Sequence, residues 1–222
     1  MRKKADTVKK QTSGYGTYVF LAIMLIILVL LVFSVYRLRR NISESYNYQG
    51  KNGLFLIDKG KIFNVDIYSI HAFSNGVEYI YPFRNHPESL EDLPMEADLV
   101  NKLNSPNGTK ILYVTRDTNL GKLTGNYDVV AAATFEQILS AGKAGLYRIS
   151  IVNAYTEYKK EFKNAEITCN DADDETAVVY LKLGEENKIY SDKYGCVVIQ
   201  GKDAEGLIQA GEKFGYYLLG VF

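Results

Sequence analysis

The sequence has no tryptophan, and among its 222 residues it has only two cysteines, two histidines and four prolines. Each scarcity closes off a class of protein. Cys169 and Cys196 lie 27 residues apart, so there is no C-x-x-C pair for zinc or thiol exchange. His71 falls in an expected hairpin and His86 in a proline-flanked loop. Neither has a companion at metal-ligand or triad spacing, so the reading assigns no metal, no cofactor and no catalytic residue. Glycine-rich phosphate loops are missing as well. VVIQGKDAEG (Val197–Gly206) places one glycine where a nucleotide-binding turn needs several, and Asp203 sits where the anion would go. The acidic run Asn170–Glu175 lacks the glycine and distal glutamate of a calcium loop and reads as a solvated turn.

Charge is missing over one long stretch. No charged residue occurs between Lys10 and Arg37, and Tyr18 to Tyr36 reads YVFLAIMLIILVLLVFSVY. As a helix this run is about 28 Å long, close to the roughly 30 Å hydrocarbon core of a bilayer. Tyr15, Tyr18, Phe33 and Tyr36 stand near its ends, where aromatic rings favour the interface. A cleaved signal peptide would carry a shorter apolar region and a small-residue cleavage site, and Ser34–Arg40 offers none. The stretch therefore reads as an uncleaved signal-anchor, with the lipid bilayer as partner of residues 18–36.

The formal net charge of zero hides an asymmetry. Residues 1–40 carry eight Lys/Arg against one acid, and the remainder carries 18 basic against 25 acidic residues. A net-acidic body argues against nucleic acid as a partner. Five basic residues precede the span and three follow it closely. That excess favours a cytoplasmic N-terminus and an extracytoplasmic body in the cell membrane. The even cysteine count agrees, since one disulfide between Cys169 and Cys196 suits an oxidising compartment. A catalytic thiol is the alternative, though no base accompanies it. Of two N-x-[ST] sequons, Asn41 hugs the span and Asn107 lies in an expected turn, a candidate glycosylation site.

The expected organisation is a basic tail (1–17), a transmembrane helix (18–36), a polar juxtamembrane linker (37–53) and an extracytoplasmic domain (54–222). Eighteen tyrosines favour strands in the body. In 54–105, a short strand at Leu54–Ile57 precedes a hairpin, with Phe63–Phe73 and Val77–Phe83 joined at Asn75-Gly76. Pro82, Pro87, Pro94 and Pro106 make residues 84–108 mostly loop. In 106–222, Lys110–Arg116, a helix Val129–Ala141 capped by Asp128, and Leu146–Ala154 form a βαβ unit. Ala177–Leu183 and Lys188–Tyr190 suggest a second hairpin, and Cys196–Gln200 another strand. Asp203 caps a terminal helix, Ala204–Leu219, with helical apolar spacing. The fold class is mixed α/β (α+β): a transmembrane helix, a β-hairpin region, and a small layer of about four strands and two helices.

The block running from Cys169 through TAVVYLKLG (Thr176–Gly184) and CVVIQG (Cys196–Gly201) to Leu218-Leu219-Gly220 resembles uncharacterised archaeal single-pass membrane proteins. YPFRN (Tyr81–Asn85) and VVAAATFEQIL (Val129–Leu139) are similar to earlier blocks of the same proteins. The resemblance implies an anchored protein with a small extracytoplasmic α/β domain and a paired cysteine, and no activity. Three functions remain. The first is a non-enzymatic module that binds an unknown envelope or surface protein, which the lack of catalytic spacing favours. The second is a tethered hydrolase-like enzyme built on strand-end acids such as Asp117, Asp128, Glu136 or Asp171. The third, if the topology is reversed, is a domain at the inner face.

Overall fold

The structure, a computed structural model, describes residues 15–39, 42–105, 108–109, 111–158 and 165–222. Asn107 and the first fourteen residues of the basic tail lie outside them. The chain divides into two units, Met1–Ile42 and Ser43–Phe222.

In the first unit, Tyr15–Arg39 forms one helix, α1, of 25 residues. Its side chains from Tyr18 to Val32 are all exposed. Among the described residues no helix is long and apolar enough to cross a membrane.

The second unit is mixed α/β. Strands β1 (Ile42–Gly50), β2 (Gly53–Ile62), β3 (Val65–Ser74) and β4 (Val77–Phe83) form a sheet in chain order. The stretch expected as a polar linker is therefore largely strand β1. Its alternation explains the misreading: Tyr46 and Tyr48 pack on the core while the intervening residues are polar. Strand β2 also runs well past Ile57; Asp58, Lys59 and Lys61 interrupt the apolar run there and conceal its continuation in the sequence. The β3–β4 hairpin turns at Asn75-Gly76, both at positive φ (51° and 76°), as expected.

Short helix α2 (Val100–Leu103) and a two-residue ladder, β5 (Asn104–Ser105) with β6 (Gly108–Thr109), lead to the second sheet. Its strands are β7 (Ile111–Arg116), β8 (Ser150–Tyr155), β9 (Ala165–Glu166), β10 (Thr176–Leu183), β11 (Lys188–Ser191) and β12 (Val197–Gly201). Their spatial order is β11-β12-β10-β7-β8-β9. All neighbours are parallel except the β11–β12 pair. Six strands replace the expected four or so. The expected β10–β11 hairpin is also corrected: β11 pairs with β12, which inserts beside β10 because its five residues are all buried and demand a central place.

Helices α3 (Leu120–Thr124), α4 (Tyr127–Leu139) and α5 (Ala204–Leu218) complete the fold. Asp203 caps α5 as expected, accepting from the Gly206 N–H at 2.7 Å. Asp128 does not cap α4. Asn126 takes that position at φ 67°, and Asp128 turns inward from the first turn. Strand β8 starts late because Leu146 and Ile149 donate to the Ile138 and Leu139 carbonyls, each at 2.8 Å, closing the last turn of α4.

Helix α5 is buried from Gly206 to Tyr216 except for Gln209, as expected of a helix packed on several sides. It lies against β12 and β10, while Tyr216 stacks on Phe83 of β4 at 3.7 Å between ring centroids. At Gly211 it crosses α4 so closely that a Cβ would stand 2.3 Å from the Ala131 carbonyl oxygen. Its buried charges are satisfied. The Glu212 carboxylate accepts from the Arg84 and Asn85 N–H groups at 2.6 and 2.9 Å, and the Lys213 ammonium donates to the Leu90 and Glu91 carbonyls. These bonds pin the proline-rich loop after β4 to the core.

Candidate functional site

Along β7 the side chains alternate, so Leu112, Val114 and Arg116 share one face. The first two are fully buried against the helices, which carries Arg116 inward at the carboxyl end of the strand, with 8% of it exposed. Its Nη1 donates to Asp128 Oδ2 at 3.0 Å, and its Nη2 donates to Asn153 Oδ1 of β8. Asp128 is 2% exposed, and its second oxygen accepts from the Thr124 hydroxyl at 3.2 Å. That hydroxyl is shared with the Leu120 carbonyl, 2.9 Å away.

Asp128, Ala132 and Glu136 recur every four residues along one face of α4. Glu136 Oε1 lies 3.9 Å from Arg116 Nη2, is buried, and has no hydrogen bond. Burial pushes the Glu136 carboxyl above the usual carboxylate range, and the nearby guanidinium offsets only part of that. Arg116 and Glu136 line a cavity of about 270 Å³ with Ala132, Asn153 and Tyr155. It opens at the carboxyl ends of β7 and β8. From β7 the sheet continues to β8 and β9 on one side and to β10 and β12 on the other, so the cavity lies one strand gap away from the β7–β10 boundary where the connections reverse. The arrangement can take a group that donates to Glu136 and tolerates a guanidinium neighbour.

Of the four acids singled out from the sequence, the structure brings two together, Asp128 and Glu136. Asp117 ends the same strand, but its Oδ1 accepts from the Tyr180 hydroxyl at 2.7 Å and the Thr156 hydroxyl at 3.0 Å. Asp171 is elsewhere, in the turn before β10, accepting from the Thr168 N–H at 2.7 Å. Sequence reasoning missed Arg116 and Asn153. Arg116 had a signal, since it falls two and four residues after Val114 and Leu112 on the core face of an apolar strand. Asn153 had none.

Both histidines have partners that spacing did not reveal. His71 Nδ1 lies 2.8 Å from Glu78 and Nε2 lies 3.0 Å from Asp58, whose other oxygen accepts from the Ser45 hydroxyl at 2.6 Å. This corrects the reading of His71 as unaccompanied. The four residues come from four adjacent strands, which sequence distance scatters. Burial acts to lower the His71 pKa, but the hydrogen bonds to Glu78 and Asp58 prevail and raise it. His86 packs among the rings of Tyr46, Tyr48 and Tyr68, with centroids 5.2–5.9 Å away. Burial lowers its pKa, and its Nδ1 accepts from the Glu88 N–H at 3.3 Å.

Cys169 and Cys196 are joined as a disulfide, with Cα atoms 5.1 Å apart, which ties the 3-10 turn Cys169–Asp171 ahead of β10 to the residue just before β12. Asp192 completes a cluster with them, but bonded sulfurs offer no thiolate to a metal, and Asp192 Oδ1 accepts from the Cys196 N–H at 2.9 Å. No family model, curated protein or solved structure matches the chain.

Proposed function

We propose that this is a single-pass membrane protein whose body, outside the cytoplasm, is a non-enzymatic binding module. Its partner is an envelope or surface protein that presents a hydrogen-bond donor, an ammonium or an amide, to the Arg116 cavity. The observation that carries the binding reading is Glu136. A buried carboxylate oxygen without a hydrogen bond is costly, and it faces a cavity at the end of the sheet where a ligand's donor would satisfy it. Asp128 is engaged as the ion-pair partner of Arg116, which leaves Glu136 as the carboxyl open to a ligand.

The location rests on other features. The 25-residue α1 contains the charge-free run Tyr18–Tyr36 that the resemblance to archaeal single-pass proteins also implies. The disulfide suits an oxidising compartment. The tethered-enzyme alternative draws on the same carboxyl, since a raised pKa in a cleft suits a general acid.

Protease added to intact cells should digest the body, and protection until lysis would reverse the topology. A photo-crosslinking residue at Val129, on the rim of the cavity, should capture one protein in native membranes. Glu136→Gln should abolish that product, and a crosslinker at exposed Tyr158 should not form it. A product indifferent to Glu136 would refute the cavity as the docking site.

A further inference from the structure

With Glu136 ionised, the Arg116, Asp128 and Glu136 cluster holds one positive and two negative charges. It is one cation short of balance. The Arg116 guanidinium is engaged by Asp128 at 3.0 Å and by Asn153. Glu136 stands 3.9 Å from it, too far for a hydrogen bond. The Glu136 side chain still keeps 23% of its surface exposed and lines the cavity.

The cavity has a shape as well as a charge. Val129, Ala132 and Ala154 are among its walls, so aliphatic carbon bounds the space beside the carboxyl. At about 270 Å³ it falls below the roughly 300–1,000 Å³ of sites that enclose a whole small molecule. Val129 is 55% exposed, whereas Ala132 and Ala154 are each 1% exposed. An occupant that enters past Val129 needs a narrow apolar stem ending in a charge.

Three side-chain donors compete for such a place. An amide is neutral and leaves the negative charge of the cluster unbalanced. A guanidinium binds best through two parallel hydrogen bonds, which take both oxygens of one carboxylate. Glu136 does not offer both, because Oε1 is buried on the Arg116 side. A lysine ammonium is a compact point charge on a four-carbon stem and binds through a single oxygen.

We propose, on the reading of this cavity as the docking site, that it takes one lysine side chain of the partner protein. The ammonium donates to the Glu136 carboxylate, and the stem lies along Val129, Ala132 and Ala154. The charge of the body agrees. Beyond residue 40 it carries 18 basic against 25 acidic residues, a field that draws in a basic partner.

The test uses the purified full chain and capped single amino acids, acetylated at Nα and methylamidated at the carboxyl end. Tm is followed against ligand concentration at constant ionic strength, since a ligand of the folded state stabilises by mass action. Capped lysine should raise Tm with dose. Its Nε-acetyl form puts an amide on the same stem and should bind roughly ten- to hundred-fold more weakly, the worth of one hydrogen bond to a charged group. Glu136→Gln should weaken capped lysine by the same factor, and capped arginine should bind more weakly than lysine. Equal binding of lysine and its Nε-acetyl form, tighter binding of arginine, or lysine binding indifferent to Glu136→Gln overturns the lysine pocket. In native membranes, an excess of capped lysine should suppress the crosslink from Val129. A Glu136-dependent crosslink that survives saturating capped lysine, or that forms although capped lysine does not bind, overturns the lysine and leaves the docking site standing. Capped lysine bound through Glu136 with no crosslinked protein overturns the docking reading and, with it, the assignment of the lysine to a partner protein.

Discussion

Replacing Arg116 by methionine keeps much of the side chain's apolar stem and removes the guanidinium. What remains is Asp128, 2% exposed, with one oxygen facing the void and only the Thr124 hydroxyl on the other. Removing one partner of a buried pair costs about 3–5 kcal/mol, because the surviving charge is uncompensated. Against a typical stability of about 5–15 kcal/mol this is severe. At about 2–4 °C per kcal/mol for a domain of this size, Tm should fall by roughly 6–20 °C. Glu136→Gln should behave oppositely. Its carboxyl has no hydrogen bond to lose, and amidation removes a desolvated charge, so Tm should hold or rise. The sign with pH follows. The Glu136 pKa is raised above 4.5 by folding, so the folded state binds the extra proton, and stability falls as pH climbs from about 4.5 through the folded value. That slope should be smaller in Glu136→Gln. Thermal melts of the full chain by circular dichroism, from pH 4.5 to 8, measure all of this. Arg116→Met/Asp128→Leu should recover much of the loss, since it leaves no charge behind. If Arg116→Met melts with the wild type, or Glu136→Gln costs as much as Arg116→Met, then Glu136 is a structural partner of Arg116 and the ligand argument fails.

Reducing the Cys169–Cys196 bond should cost roughly 3–4 kcal/mol from the 27-residue separation and lower Tm by about 6–16 °C. Alkylation of two thiols in folded, unreduced protein would contradict it. The raised pKa of His71 gives a contribution that is full below about pH 6.5 and is lost as pH rises through the folded value. His71→Gln should flatten that part of the stability profile, and an unchanged profile would remove the imidazolium from the Asp58–Glu78 bridge. Gly211→Ala should cost about 1–3 kcal/mol by forcing α4 and α5 apart, despite a helix-propensity gain of up to about 1 kcal/mol. Gly142→Ala, whose Cβ would meet only the Ser140 hydroxyl at 3.4 Å, should melt like the wild type, and equal effects would dismiss the close crossing.

Where local chemistry decides, the sequence alone was enough. Asp203 announced the start of α5, because a carboxylate before helical apolar spacing has one common use. Asn75-Gly76 announced its hairpin, because that pair accepts positive φ. Strands β7, β10 and β12 were legible as unbroken apolar runs, which central parallel strands require. Strand β1 was not. A strand with one wet face and only two tyrosines inward looks like linker until its neighbour is known. Pairing also needed three dimensions. The short gap between β10 and β11 suggested a hairpin, but the burial of both faces of β12 earned it the place between them. The candidate site divides the same way. Glu136 and Asp128 stood out as acids near strand ends, whereas their meeting on Arg116 depends on how α4 lies across β7. The Ser45–Asp58–His71–Glu78 chain could not be read in advance at all. Hydrogen bonding between adjacent strands depends on register, and register is set jointly by every buried residue of the sheet rather than by the spacing of the four that bond.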